Sequence, residues 1–118
     1  MKLRVYGIKN CDTMKKTFVF LENKGLDYEF IDYKKNAPDT ALLSGFADKV
    51  GFENLINKKG TTYRKLDDQE KKDLETKSNA IALLSEKSSM IKRPIIEFPD
   101  GSILLGLNEE EIIKKAGK

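Results

Sequence analysis

Cys11 is the single cysteine of a 118-residue chain that contains no histidine. Those two counts bound the chemistry. A lone thiol cannot close an internal disulfide, and without imidazole there is no Cys-His or Ser-His-Asp catalysis and no His switch near neutral pH. No metal site is expected either, because histidine is absent and cysteine occurs once. What remains is sulfur chemistry, and the reactive form of sulfur is the thiolate. A helix dipole, a lysine or an arginine must then favour that anion. The plain alternative is a cysteine acting as a small buried hydrophobe.

Arginine is scarce. The chain carries 19 lysines but only Arg4, Arg64 and Arg93. A sequence that defaults to lysine keeps arginine where a planar, bidentate guanidinium matters. Arg4 alternates outward on a strand pattern and is expected to be solvated. Arg64, in Lys59-Gly60-Thr61-Thr62-Tyr63-Arg64-Lys65-Leu66, and Arg93, directly before Pro94, are the candidates for a site. A surface ion pair with Asp67 or Asp68 is the competing role for Arg64. Lys9 and Lys15 add positive field around Cys11, and Asn10 and Thr13 are candidate hydrogen-bond donors to a substrate. Lys15 and Lys16 also suit a solvated helix face.

The elements around Cys11 must position it. Lys2-Leu3-Arg4-Val5-Tyr6 alternates polar and apolar residues, the period of a strand. Met14, Phe18 and Leu21 then recur at helical spacing, with Asp12 or Thr13 as the expected cap and Gly7 allowing a tight turn between the elements. Cys11 therefore falls at a strand-to-helix junction, where unpaired N–H groups favour negative charge. Lys24-Gly25 stops the helix and Tyr28–Tyr33 reads as a second strand, which makes a βαβ unit with parallel strands.

From about 38 to 89 the pattern is helical. Pro38-Asp39 opens a helix closed by Gly51, and Phe52–Ile56 makes a short turn. Residues 59–62 read as a loop. Asp67-Asp68 caps a charged segment to about Lys77, and Ser78 or Asn79 starts a helix whose core side is Ala80, Ile81, Leu83 and Leu84. Pro94–Phe98 and Ser102–Gly106 form a hairpin around Pro99-Asp100-Gly101. A last helix begins with Asn108 as cap and Glu111 as its box partner. The expected class is α/β: a βαβ…ββα core with a mixed four-stranded sheet, interrupted between strands 2 and 3 by an all-helical insertion. One domain over 1–118 is expected.

Charge and composition exclude further classes. The 22 cations and 19 anions are interleaved and the net charge is +3, unlike the concentrated basic stripe of a nucleic-acid binder. No apolar run reaches a membrane-spanning length, and residues 1–6 lack the apolar core of a signal peptide. A lone cysteine with no export signal suits the reducing cytoplasm.

The cysteine after the first strand, the 59–66 segment and Ile91-Lys92-Arg93-Pro94-Ile95 before the hairpin together resemble the arsenate reductase-like ArsC/Spx family, and within it the YffB-like group. The element order extends the resemblance over nearly the whole chain. It implies a thioredoxin-like fold, Cys11 as nucleophile, Arg64 and Arg93 as guanidinium groups beside it, and Pro94 preceded by a cis peptide bond. It implies no resident cofactor, with glutathione as co-substrate and glutathione or a glutaredoxin as the resolving thiol. A small oxyanion or a disulfide would be the electrophile and the protein a monomer. A cytoplasmic regulator resembling Spx, which binds RNA polymerase, is the alternative from another class. Two departures weigh against arsenate: Gly106 stands where the family's reductases carry a third arginine, and Gly7 where they carry a histidine. Met14 stands at the second position of a Cys-x-x-Cys pair, so any turnover needs an external thiol.

Overall fold

The computed structural model describes residues 2–116. The chain forms two compact units: one runs to Asp32 and resumes at Arg93, and the other is Tyr33–Lys92.

Among the described residues the first unit holds four strands: β1 (Lys2–Gly7), β2 (Asp27–Asp32), β3 (Ile95–Glu97) and β4 (Ile103–Leu105). Their order is β2-β1-β3-β4, with β2 parallel to β1 and β3 antiparallel to both β1 and β4. The sheet is thus mixed, and with helix α1 (Asp12–Asn23) between β1 and β2 and helix α6 (Glu109–Ala116) after β4 the architecture is thioredoxin-like α/β. Leu3 and Val5, two apart on β1, present one face to a core shared with Met14, Phe20 and Leu21 of α1, Ile96 of β3 and Ile112 of α6. Strict alternation ends at Tyr6, which is buried like Val5 because β1 is an interior strand.

Helix α1 ends in a Schellman arrangement. Gly25 takes φ 66, its N–H donates to the Glu22 carbonyl at 3.1 Å, and the Leu26 N–H donates to the Leu21 carbonyl at 3.0 Å. Leu26 and Leu21 both join the core, which fixes how the chain enters β2. The buried stripe of α1 is Met14, Thr17, Phe20 and Leu21. Phe18, expected at its centre, is only half-buried; it stacks on Tyr28 at 5.5 Å and meets the edge of Phe30 at 5.0 Å. The Thr17 hydroxyl bonds the Thr13 carbonyl at 2.7 Å, so a threonine fits the buried stripe with its polar atom satisfied. Arg4 is not simply solvated: it stands opposite Glu97 in the β1–β3 register and pairs with it at 3.6 Å.

The second unit holds α2 (Thr40–Val50), α3 (Thr61–Arg64), α4 (Asp68–Asp73) and α5 (Lys77–Glu86). The Asp39 carboxylate accepts the Leu42 N–H at 2.7 Å to start α2, and Gly51 with φ 88 ends it. Asp67 and Glu70 close a reciprocal capping box on α4. Three expectations shift here. Thr61-Thr62 opens a helix instead of continuing a loop, the charged segment ends at Asp73, and α5 begins at Lys77 with Thr76 as its N-cap. Leu83 is half-buried, while Ala80, Ile81 and Leu84 are core. An isolated antiparallel bridge joins Ile56 to Ile91, so the segment is not purely helical.

Candidate active site

Lys9 and Asn10 form an exposed turn between β1 and α1, and the helix starts immediately after Cys11. Cys11 is itself the N-cap, with extended backbone (φ −122, ψ 133), and its carbonyl accepts the Lys15 N–H at 3.0 Å. This replaces the expected cap at Asp12 or Thr13. The turn is one or two residues shorter than the side-chain chemistry suggested, and the extended N-cap conformation falls on the cysteine.

That position fixes what surrounds the sulfur. Cys11 is half-buried, with one side against the hydrophobic core of its unit. Burial pushes its thiol pKa up. The Met14 N–H, the Arg93 guanidinium and the Thr13 N–H together outweigh burial and hold the pKa below the ordinary thiol range. The sulfur closes no capping hydrogen bond of full geometry, so these groups act as aimed dipoles and charge. Thr13 and Met14 are the second and third residues of α1, the amides an N-cap side chain ordinarily meets.

Gly7 has a different role from the expected one. Its φ is not positive, so it is not present for turn geometry. A β-carbon built on it would stand 2.6 Å from Met14 Sδ and 2.7 Å from Met14 Cε, and Met14 is fully buried. The methionine fills the space a side chain at position 7 would take, and that seats the first turn of α1 against the end of β1.

The other predicted residues fall into two groups. Arg93 opens the return of the chain into the sheet unit; it is half-buried, and the Arg93–Pro94 peptide bond is cis. The Pro94 carbonyl accepts the Gly106 N–H at 2.8 Å, which ties Gly106 to the segment that carries Arg93. Thr13 is exposed and meets the sulfur through its main chain. Lys9 and Asn10 are exposed. Arg64 belongs to the second unit, as the exposed last residue of α3, with its N–H donating to the Gly60 carbonyl at 3.3 Å. The Met14 amide beside the sulfur and the packing of Met14 against Gly7 are the contributions that the sequence did not reveal. Once Cys11 is known to be the N-cap, the third-residue amide follows; the Gly7–Met14 packing leaves no sequence signal.

A thioredoxin-like sheet with one thiol at the N-terminus of its first helix and an arginine before a cis-proline defines a class of thiol-dependent folds. Within that class the ArsC family model matches residues 6–115, so the chain belongs to the ArsC family. A protein of Haemophilus influenzae without an assigned function is 41% identical over 109 residues, covering 92% of this chain and 94% of its own length. An arsenate reductase of Rhizobium meliloti is 27% identical over 108 residues, covering 88% of this chain and 74% of its own. The solved structure of a YFFB protein superposes with a TM-score of 0.90 at 38% identity, covering 96% of this chain and 97% of its own.

Proposed function

We propose that the protein is a glutathione-dependent thiol oxidoreductase with Cys11 as its only nucleophile and Arg93 as the charge that keeps it ionised. One observation carries the reading: a half-buried thiol whose pKa burial would raise is held low by two helix N–H groups and one guanidinium. Membership of a family that includes an arsenate reductase supports sulfur redox chemistry in general.

In the proposed cycle the Cys11 thiolate attacks a sulfur of a glutathione mixed disulfide. A Cys11–glutathione disulfide forms and the other sulfur leaves as a thiolate, which takes a proton from solvent. A second glutathione thiolate then attacks the glutathione sulfur of that bond. It releases the Cys11 thiolate and forms glutathione disulfide, the oxidised product, while the reducing electrons stay on the substrate thiol released in the first step. The external thiol is required because Met14, not a second cysteine, stands three residues on. The exposed Lys9 and Asn10, with Thr13 and Arg93, are the groups proposed to meet the carboxylates and amides of glutathione.

Arsenate is the less favoured electrophile. Gly106 supplies no third guanidinium, and the space a histidine at position 7 would need is filled by Met14. The test is a glutathione-coupled turnover assay run in parallel on arsenate and on a glutathione mixed disulfide. Disulfide turnover that vanishes in Cys11→Ser, with slower arsenate reduction, is expected. Turnover that survives in Cys11→Ser, or faster arsenate reduction, contradicts the proposal. Arg64→Ala in the same assay tests the substrate role that the family resemblance gives Arg64.

A further inference from the structure

Helix α1 carries a second feature, one turn beyond Cys11. Lys15, Lys16, Val19, Phe20, Asn23 and Lys24, with Leu107 and Glu109, line an open groove of about 600 Å³. Val19 is the exposed large hydrophobic side chain among the described residues, at 56% exposure, and it lines this groove. A β-branched apolar residue on a solvated helix face is a poor choice by helix propensity and hydration alike. Two further apolar residues line the groove: Phe20, buried at 8% exposure, and half-buried Leu107. Among the described residues no acidic side chain pairs with Lys15, Lys16 or Lys24, and Glu109 is the one carboxylate on the rim. The groove is therefore apolar along its floor and cationic along its edge.

From these observations we infer that the groove docks an acidic, aliphatic segment of the protein whose cysteine carries the disulfide that Cys11 attacks. The substrate class is then a protein cysteine in mixed disulfide with glutathione: Cys11 takes the glutathione sulfur, the partner's cysteine leaves as the thiolate, and a second glutathione resolves Cys11. The inference rests on the thiol reading above and adds the identity of the partner. Complementarity sets the occupant's chemistry: carboxylates opposite three lysines and an aliphatic side chain on Val19. Geometry sets its length. From Cys11 to Lys24 the helix axis advances about 20 Å at 1.5 Å per residue, which an extended segment of roughly six residues spans. Such a segment would present its own cysteine at the helix N-terminus while its remaining residues follow α1.

The test uses the full chain and three disulfides: glutathione disulfide, a glutathionylated peptide of alternating Glu and Leu around its cysteine, and the same peptide with Lys and Ser replacing them. Val19→Asp and Lys24→Glu change exposed positions away from the sulfur. The wild type should prefer the Glu/Leu peptide. The double variant should lose about tenfold in kcat/KM on that peptide, carried by KM, while glutathione disulfide reacts unchanged. Preserved reaction with glutathione disulfide but equal use of both peptides, or indifference of the Glu/Leu peptide to the two substitutions, overturns the groove and leaves the thiol reading standing. No reaction of Cys11 with any of the three overturns both. A Cys11→Ser protein titrated with the reduced Glu/Leu peptide should show amide shifts along residues 15–24. Shifts absent there count against the inference independently of turnover.

Discussion

The Met14 side chain occupies the volume that a β-carbon on Gly7 would need, with Sδ at 2.6 Å from that position. Both residues lie within a few positions of Cys11, one ending β1 and the other completing the first turn of α1. The seat of α1 is thus set by a missing side chain.

Gly7→Ala should destabilise the protein by about 1–3 kcal/mol, because a fully buried methionine must move to admit the methyl group. Met14→Ala should cost about 2–5 kcal/mol through the cavity it leaves. In the double variant each change relieves the other, so its cost should fall well below the sum. Urea denaturation of all four proteins reads this directly. Strict additivity would mean that the two side chains do not share one space.

Cys11 also couples stability to pH. Its folded pKa lies below the ordinary thiol value, so between that lowered pKa and about 8.5 the unfolded chain binds more protons than the native one. The contribution is fully present above the unfolded pKa and is lost as pH falls through the folded one. Relative to Cys11→Ser, wild-type stability should therefore rise with pH across that window and level off above it. A flat difference across the window would contradict the direction of the shift.

Periodicity and turn chemistry account for most of what the sequence made legible. Alternation marked β1, the Lys24-Gly25 stop became a Schellman end, Asp39 and Asp67 became caps, and Pro99-Asp100-Gly101 became the hairpin turn. The errors arose where a tertiary partner decides. The N-cap moved to Cys11 because the turn from β1 is short, and Phe18 left the centre of its stripe because Tyr28 and Phe30 offer it an aromatic edge. Likewise, Arg4 found Glu97 only once β3 had paired with β1. Placing Cys11 beside Arg93 needs the chain to return from residue 92 to the sheet unit, a distance in sequence that no local pattern bridges.

The Schellman turn gives a local stability test. Gly25→Ala puts a β-carbon on a residue with φ 66 in open space, so the cost is conformational alone. A loss of about 1–2 kcal/mol is expected, with Cys11 reactivity unchanged. A neutral substitution would show that the turn relaxes to negative φ.

Gly106→Arg places a guanidinium on the segment hydrogen-bonded to Pro94. Its β-carbon meets nothing within 4 Å, but φ 81 strains any side-chain-bearing residue there. The variant should lose about 1–2 kcal/mol of stability and gain affinity for arsenate, measured by protection of Cys11 from alkylation. Protection no better than wild type would remove Gly106 from the account of substrate choice.

Arg93 and the start of α1 together favour the anionic form of the Cys11 sulfur. Ultraviolet thiolate absorbance, followed against pH in the wild type, in Arg93→Ala and in Cys11→Ser as the blank, measures it most directly. A wild-type midpoint below about 8.5 that rises when Arg93 is removed is the predicted result. A midpoint at or above that value, or one that Arg93→Ala leaves in place, would contradict it.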